Sequence, residues 1–376
     1  ELAALRACPS LRTDVDPDAL ALLLRLDYIP APHCILKGVR KLPAGALVRI
    51  DATRTDACAV PDVHRWWNAH ARHEAAIDAG FEGDEDAALD ALDTVLRDAV
   101  ALRMEADVPL GAFLSGGTDS SLVTALMQVQ STRPVRSFSI GFDNAVHDES
   151  AHAAAVARHL RTDHTELRAD GRAALDLVPG IARIYDEPFA DSSQLPTALL
   201  CRLARQHVTV ALSGDGGDEL FFGYGRYVRA LRNDARLERL PRRLLSRLAG
   251  DPGERARLGG VAALRAELST RNLQDVARHR ISRWRRPEHV VRGAHPVVTA
   301  YDDPAALLRN GTQADQLMAM DFACYLPEDI LTKVDRTSMA VSLEAREPLL
   351  DHRRDEFAAS LPESLRLKRG EGKWLL

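Results

Sequence analysis

The segment Pro17-Asp-Ala-Leu-Ala-Leu-Leu-Leu-Arg-Leu26 has the apolar run of a helix, and the proline-rich Ile29-Pro-Ala-Pro-His33 that follows reads as a loop. Ala46-Leu-Val-Arg-Ile50, after Lys41-Leu-Pro-Ala-Gly45, predicts a short strand. These pieces are too small to enclose a core, so they need a packing partner elsewhere. The stretch from Asp51 to Trp67 is irregular and reads as linker. From Asp84 to Met104 apolar residues recur at helical spacing (Leu89, Leu92, Val95, Leu96, Ala99, Val100), which predicts an amphipathic helix. Apolar runs at 108–114, 135–141 and 208–213, with a weaker one at 163–167, predict strands. Helical patterns at 121–129, 149–160, 173–185 and 197–206 alternate with them. That alternation predicts an α/β fold built on a doubly wound, mainly parallel sheet. Beyond Tyr227 the pattern is helical and arginine-rich, and Gly372-Lys-Trp-Leu-Leu376 reads as part of an apolar, helix-like run. Both ends read as cut, the mark of a piece of something longer.

At 376 residues the chain predicts one large domain and part of a second. A net charge of −5 speaks against a nucleic-acid surface, which needs a basic face. No apolar run reaches the ~18 residues of a membrane helix, and no secretory leader pattern opens the chain. The five cysteines are odd in number, scattered and never spaced Cys-x-x-Cys. Structural zinc and a disulfide framework are therefore not expected, and a cytoplasmic setting fits. Of the basic residues only five are lysine, Lys373 among them.

Three predicted strands end in unusual loops: Ser115-Gly-Gly-Thr-Asp-Ser-Ser121, Gly141-Phe-Asp143 and Ser213-Gly-Asp-Gly-Gly-Asp-Glu219. In open α/β sheets the ligand crevice lies beyond the carboxyl ends of strands, so the three should converge. Gly116 and Gly117 let backbone N–H groups approach an anion at a helix N-terminus, and Ser115, Ser120 and Ser121 add hydroxyls. Asp119 suits such a place only with a cation between it and a phosphate, which suggests Mg2+. A plain helix N-cap needs one such residue, not five. The loop lacks the Gly-Lys-Ser/Thr and the longer spacing of a Walker P-loop. In the third loop Asp218 is the candidate to share the ion, and the backbone of Ser213 and Gly214 could cradle a nucleotide.

Ser-Gly-Gly-x-Asp-Ser resembles the pyrophosphate-binding loop of the N-type ATP pyrophosphatases, which form AMP-linked carboxyl intermediates from ATP. Leu212-Ser-Gly-Asp-Gly-Gly-Asp-Glu-Leu-Phe-Phe-Gly-Tyr-Gly-Arg-Tyr227, Asp186-Glu-Pro-Phe-Ala-Asp-Ser-Ser-Gln-Leu-Pro-Thr197 and the block Tyr325–His352 with its Lys-Val-Asp-Arg and Glu-Ala-Arg-Glu-Pro-Leu-Leu-Asp narrow the likeness. Together with the closing Gly372-Lys-Trp374 they resemble the synthetase domain of the glutamine-dependent asparagine synthetases. Tyr28-Ile-Pro-Ala-Pro and Lys41-Leu-Pro-Ala-Gly resemble the tail of that family's N-terminal glutaminase domain. The resemblance implies residues 1–55 as that remnant, 56–83 as linker and 84–376 as the ATP-pyrophosphatase domain.

It also implies a reaction: ATP and the aspartate side chain form β-aspartyl-AMP and pyrophosphate, then ammonia from glutamine displaces AMP. The family's glutaminase nucleophile, a cysteine at the first position, has no counterpart at Glu1, and Cys8 lies in the part that matches the end of that domain. Carried over by position, Ser115, Gly116, Gly117, Asp119, Ser120 and Ser121 would bind pyrophosphate, with Asp119 and Asp218 on Mg2+. Leu114, Ile140, Ser213 and Gly214 would meet the nucleotide through backbone groups. Asp215 would take a proton from the attacking ammonia, and Lys373 would steady the transferring phosphate. Asp191, Ser192 and Ser193 would face the acceptor or simply cap the next helix. Lys333, Asp335 and Arg336 would support the site, and Glu344 with Arg346 reads as a structural ion pair. A homodimer is one candidate assembly.

Two positions depart from the family pattern. Phe222 stands where glycine is usual and Glu347 where an apolar residue is usual. A buried, unpaired carboxylate costs several kcal/mol, so Glu347 should have a partner or lie exposed. Both changes leave open an acceptor other than aspartate: a sugar acid, or a peptide or β-lactam precursor in a cyclase. A silent nucleotide-binding relative is the remaining alternative, and the joint presence of Asp119, Asp215, Asp218 and Lys373 speaks against it.

Overall fold

The first two strands make a short ribbon: β1 (Ala46–Val48) pairs antiparallel with β2 (Val63–Arg65). The computed structural model describes residues 2–50, 62–142, 148–238 and 268–376, so Asp143 of the second predicted loop lies outside the described residues. The described part of the expected linker at 56–83 holds β2 and a helix over Ala69–Ala79. That helix has no apolar stripe to betray it. Its one buried residue is His73, whose Nε2 lies 2.7 Å from Asp355 Oδ1 in the helix His352–Ser360.

The main sheet has five strands: β3 (Leu110–Phe113), β4 (Arg136–Phe142), β5 (Asp163–Ala169), β6 (Val210–Leu212) and β7 (Glu344–Arg346). All neighbours run parallel, in the order β5-β4-β3-β6-β7. The chain leaves β3 in one direction for β4 and β5, then crosses to the other side for β6 and β7. The switch point therefore falls between β3 and β6, where such sheets open a crevice. One strand, β7, goes unpredicted because Glu-Ala-Arg offers no apolar run. Its backbone completes the edge beside β6.

Helices cover both faces. Leu92, Leu96 and Val100 of Glu85–Met104, with Val123 and Met127 of Thr118–Gln130, pack on Ala112, Val210 and Leu212. On the other face Cys201 and Ala204 of Gln194–Arg205 meet Phe138, Ala211 and Leu343. The N-terminal segment finds its packing partner on this same body. Asp16 caps the helix Pro17–Leu26 through the amide of Asp18 at 2.9 Å, and Leu22, Leu26 and Tyr28 bury against Phe222, Tyr301 and Met318.

The expected helix-like run at 372–376 is not helical: Gly372 ends a strand and Trp374–Leu375 form a turn. Residues 367–372 form a hairpin of β8 (Leu367–Lys368) and β9 (Glu371–Gly372), turned by Arg369 and Gly370 with φ of 56° and 83°. Two consecutive left-handed residues make the tight turn that a twisted hairpin requires. Among the described residues no helix is long and apolar enough to cross a membrane.

Candidate active site

The loops that follow β3 and β6 touch. A Cβ on Gly214 would lie 2.7 Å from the amide nitrogen of Ser120, and one on Gly217 only 2.5 Å from the Asp119 carboxylate. Only glycine allows this approach. In the first loop Gly116 has φ +83°, and a Cβ there would meet the Ala153 amide nitrogen at 2.6 Å. The Ser115 and Ser120 hydroxyls lie 3.0 Å apart, the Ser115 amide donates to Ser120 Oγ at 3.2 Å, and the Gly117 amide donates to Ser115 Oγ at 3.3 Å. Thr118 then opens the helix that carries Asp119, Ser120 and Ser121 in its first turn. The loop thus gathers hydroxyls and helix-terminal amides, an environment for anionic oxygen.

Into this place comes Lys373. Its Nζ lies 2.5 Å from Asp119 Oδ2 and 2.8 Å from Asp218 Oδ1. One cation therefore ties the ends of three segments separated by some 100 and 150 residues of sequence. Burial opposes the charge on Lys373, but the two carboxylates outweigh it and raise the pKa, so the ammonium persists. The lysine itself has a left-handed φ of +58°, a strained setting fixed from outside. Its amide donates to Phe221 O at 2.7 Å. Glu85 accepts from Lys368 Nζ and from Trp374 Nε1, both at 2.8 Å, pinning the hairpin to the helix Glu85–Met104. Lys368 also sits 4.2 Å over the Trp374 ring.

Asp119 and Asp218 are oxygen donors that meet at one cation, and Asp119 Oδ1 is buried with no hydrogen-bond partner among the described residues. Two carboxylates with phosphate oxygens to complete the shell is the donor set that Mg2+ prefers. Among the described residues no three acidic, histidine or cysteine groups gather to hold a metal by themselves. The pair fits an ion shared with a ligand.

The remaining candidates fall into two groups. Ser213 Oγ donates to Asp215 Oδ2 at 2.8 Å, and burial raises the Asp215 pKa. Leu114 is buried and its amide donates to Phe138 O at 2.8 Å. Ile140 lies beyond the β3–β4 pairing, which ends at Phe113 and Phe138, so its backbone faces the open end of β3. Asp191 and Ser193 are drawn in by Lys333, whose Nζ lies 2.7 Å from Asp191 Oδ2 and 2.7 Å from Ser193 Oγ. Burial works against the Asp191 charge, yet Lys333 and the Ser193 hydrogen bonds hold its pKa below the usual range. Ser192 is exposed and joins nothing in this cluster. The helix here begins at Gln194, and Ser193, at its start, makes no side-chain cap.

The Glu344–Arg346 pair closes at 2.7 Å, and Arg346 Nη1 also reaches the carbonyls of Arg103 and Glu105, a structural tie as expected. Phe222 has φ +58°, and a Cβ on Gly372 would lie 1.9 Å from its carbonyl oxygen. The backbone there is one that glycine adopts freely, and in this chain a buried aromatic ring is forced into it.

Two positions escape sequence reasoning. Glu85 reads as an ordinary acidic residue of a helix's first turn, and nothing local links it to Lys373. Arg354 is wholly buried 4.9 Å over the Phe221 ring, with Asp119 and Asp355 the strongest opposing charges around it.

A sequence profile described as asparagine synthase matches residues 91–376. The chain belongs to the asparagine synthase family. It is 32% identical over 369 residues to a provisionally named glutamine-hydrolyzing asparagine synthetase of Mycobacterium tuberculosis (strain ATCC 25618 / H37Rv), covering 97% of this chain and 55% of that protein. It is 28% identical over 371 residues to glutamine-hydrolyzing asparagine synthetase 1 of Bacillus subtilis (strain 168), covering 96% of this chain and 56% of the relative. The chain spans about half the length of the curated relatives it matches. For an asparagine synthase family member the parallel sheet is the ATP pyrophosphatase fold, and the loops at its switch point are where ATP is expected.

Proposed function

We propose that this site activates a carboxylate with ATP and passes the acyl-adenylate to ammonia, with aspartate as acceptor and asparagine as product. The observation that carries the reading is the meeting of Asp119, Asp218 and Lys373 at one point beside the hydroxyl-rich loop. In the first step an aspartate carboxylate oxygen attacks the α-phosphorus of ATP. The diphosphate departs toward the amides of Gly116 and Gly117 and the hydroxyls of Ser115, Ser120 and Ser121. Asp119 and Asp218 would hold Mg2+, which when bound supplies charge neutralisation for the diphosphate. Lys373 adds positive charge that cannot be lost at neutral pH. Leu114, Ile140, Ser213 and Gly214 hold the nucleotide through backbone groups.

In the second step the ammonia lone pair attacks the acyl carbon and the C–O bond to AMP breaks. Asp215, oriented by the Ser213 hydroxyl, accepts the N–H proton. The loop bearing Asp191 and Ser193, fastened by Lys333, faces the acceptor. Residues 1–55 are read as the end of a glutaminase domain, and glutamine as the ammonia source of the full-length protein.

The test is pyrophosphate release from ATP by the full-length protein, with aspartate, with other carboxylates and with none. The reading expects release to depend on aspartate and Mg2+. Release with another carboxylate alone overturns the acceptor, and ADP in place of AMP overturns the chemistry.

A further inference from the structure

At the carboxyl end of β7 stands an acid to which the two steps above give no role. Leu212 is in register with Arg346, and the Ser213 amide donates to Arg346 O at 2.9 Å, so Glu347 emerges beside Ser213 and Gly214. Glu347 leads into the turn Pro348–Leu350, closed by the Leu350 amide on Glu347 O at 3.1 Å. Leu350 packs so tightly on the neighbouring loop that a Cβ on Gly216 would lie 2.2 Å from its Cδ2. The turn and the loop 213–218 thus pack side by side as one wall at the carboxyl ends of β6 and β7, with Asp215 on the loop and Glu347 at the start of the turn.

The charges around Glu347 are Asp215 and Asp335 on the acidic side and Arg103 on the basic side, and Arg103 is engaged by Asp351 at 2.6 Å. Arg346, next in sequence, is engaged by Glu344 and by the carbonyls of Arg103 and Glu105. Asp215 faces Lys333 and Asp218 and accepts from Ser213. Among the described residues neither Asp215 nor Glu347 makes an ion pair. Burial, followed by Asp215 and Asp335, pushes Glu347 up to about 7, so it titrates near neutrality.

We propose that Glu347 is a second proton acceptor beside Asp215, and that the nitrogen nucleophile enters this wall as the ammonium ion rather than as neutral ammonia. The inference rests on the amide-forming reading above. Its warrant is the proton count. Neutral ammonia becomes an amide by losing one proton, which Asp215 alone can take. Ammonium must lose one proton to free its lone pair and a second once the N–C bond has formed. The C–O bond to AMP breaks with its electron pair, and the products are the amide, AMP and two protonated carboxyl groups. Two adjacent carboxylates also attract a cation that a wall bearing one carboxylate and the usual apolar residue would hold poorly.

The experiment uses the full-length protein with aspartate, ATP and ammonium chloride below saturation, following amide formation from neutrality up toward the ammonium pKa. Wild type should show a rate per total ammonia that is nearly flat. Glu347→Leu should rise about tenfold per pH unit, as the neutral fraction does. Glu347→Asp should restore the flat profile. If the leucine variant does not fold, Glu347→Gln, nearly the same size, should show the same steep rise. A steep profile in wild type, or a flat one in the Leu and Gln variants, overturns the inference alone when aspartate-dependent pyrophosphate release is normal in wild type. Absence of that release overturns the functional reading and this inference with it.

Discussion

The loop at 115–121 and the hairpin at 367–372 deliver opposite charges to one point, and they do so by different means. Asp119 arrives by local rules: a buried strand ends, two glycines turn the chain, and a helix begins. Lys373 arrives by tertiary ties: a tight turn at Arg369-Gly370, Glu85 holding Lys368 and Trp374, and a Phe221 carbonyl holding its amide. A site can thus be half written in a motif and half assembled by distant contacts. The two halves should fail differently when altered.

The largest effect is expected on the locally encoded side. Asp119→Ala removes a carboxylate that Lys373 pairs with and that the proposed Mg2+ site requires, and pyrophosphate release should fall by about a thousandfold or more. Normal release at ordinary Mg2+ would break the metal assignment. Lys373→Ala leaves the carboxylates in place and should cost roughly a hundred- to a thousandfold in the same assay. Partial recovery in Lys373→Arg would sharpen the case that charge is what matters there.

Asp215→Asn should separate the two half-reactions, slowing amide formation by about a hundredfold while pyrophosphate still appears. Equal loss of both would remove Asp215 from its role as base. Phe222→Gly bears on stability. Losing a buried ring costs about 3–5 kcal/mol, while release from the left-handed backbone returns about 1–2 kcal/mol. Packing wins, so a net loss of roughly 2 kcal/mol in denaturant unfolding is expected. Any gain in stability would show that the backbone strain dominates. The smallest effect belongs to Glu85→Ala, which touches no substrate. Loosening the hairpin should lower turnover several-fold, with Lys373 intact and the fold retained, and a rate equal to wild type would show that the hairpin holds itself.

The same contrast explains what the sequence made legible. Four strands of the main sheet and the helices between them could be read because their apolar runs and periodicities are local. The glycine-rich loops after β3 and β6 could be read because a cluster of glycines, hydroxyls and acids buries little apolar surface and has no purpose in a core. The strand β7 could not, since Glu344-Ala-Arg346 is stabilised by pairing to β6 and not by its own apolarity. The helix Ala69–Ala79 was hidden because its one buried residue is a histidine held by Asp355. The run 372–376 reads as helix-like because Trp374, Leu375 and Leu376 are apolar, and the hairpin before it carries no signal because its turn uses arginine where asparagine would give one.

The most direct measurement is a crystal structure of the protein with pyrophosphate and Mg2+. The account predicts the diphosphate against Ser115–Ser121, a metal ion between Asp119 and Asp218, and Lys373 Nζ within hydrogen-bond distance of a phosphate oxygen. A diphosphate bound away from these three side chains, with Lys373 still between the two carboxylates, would contradict it.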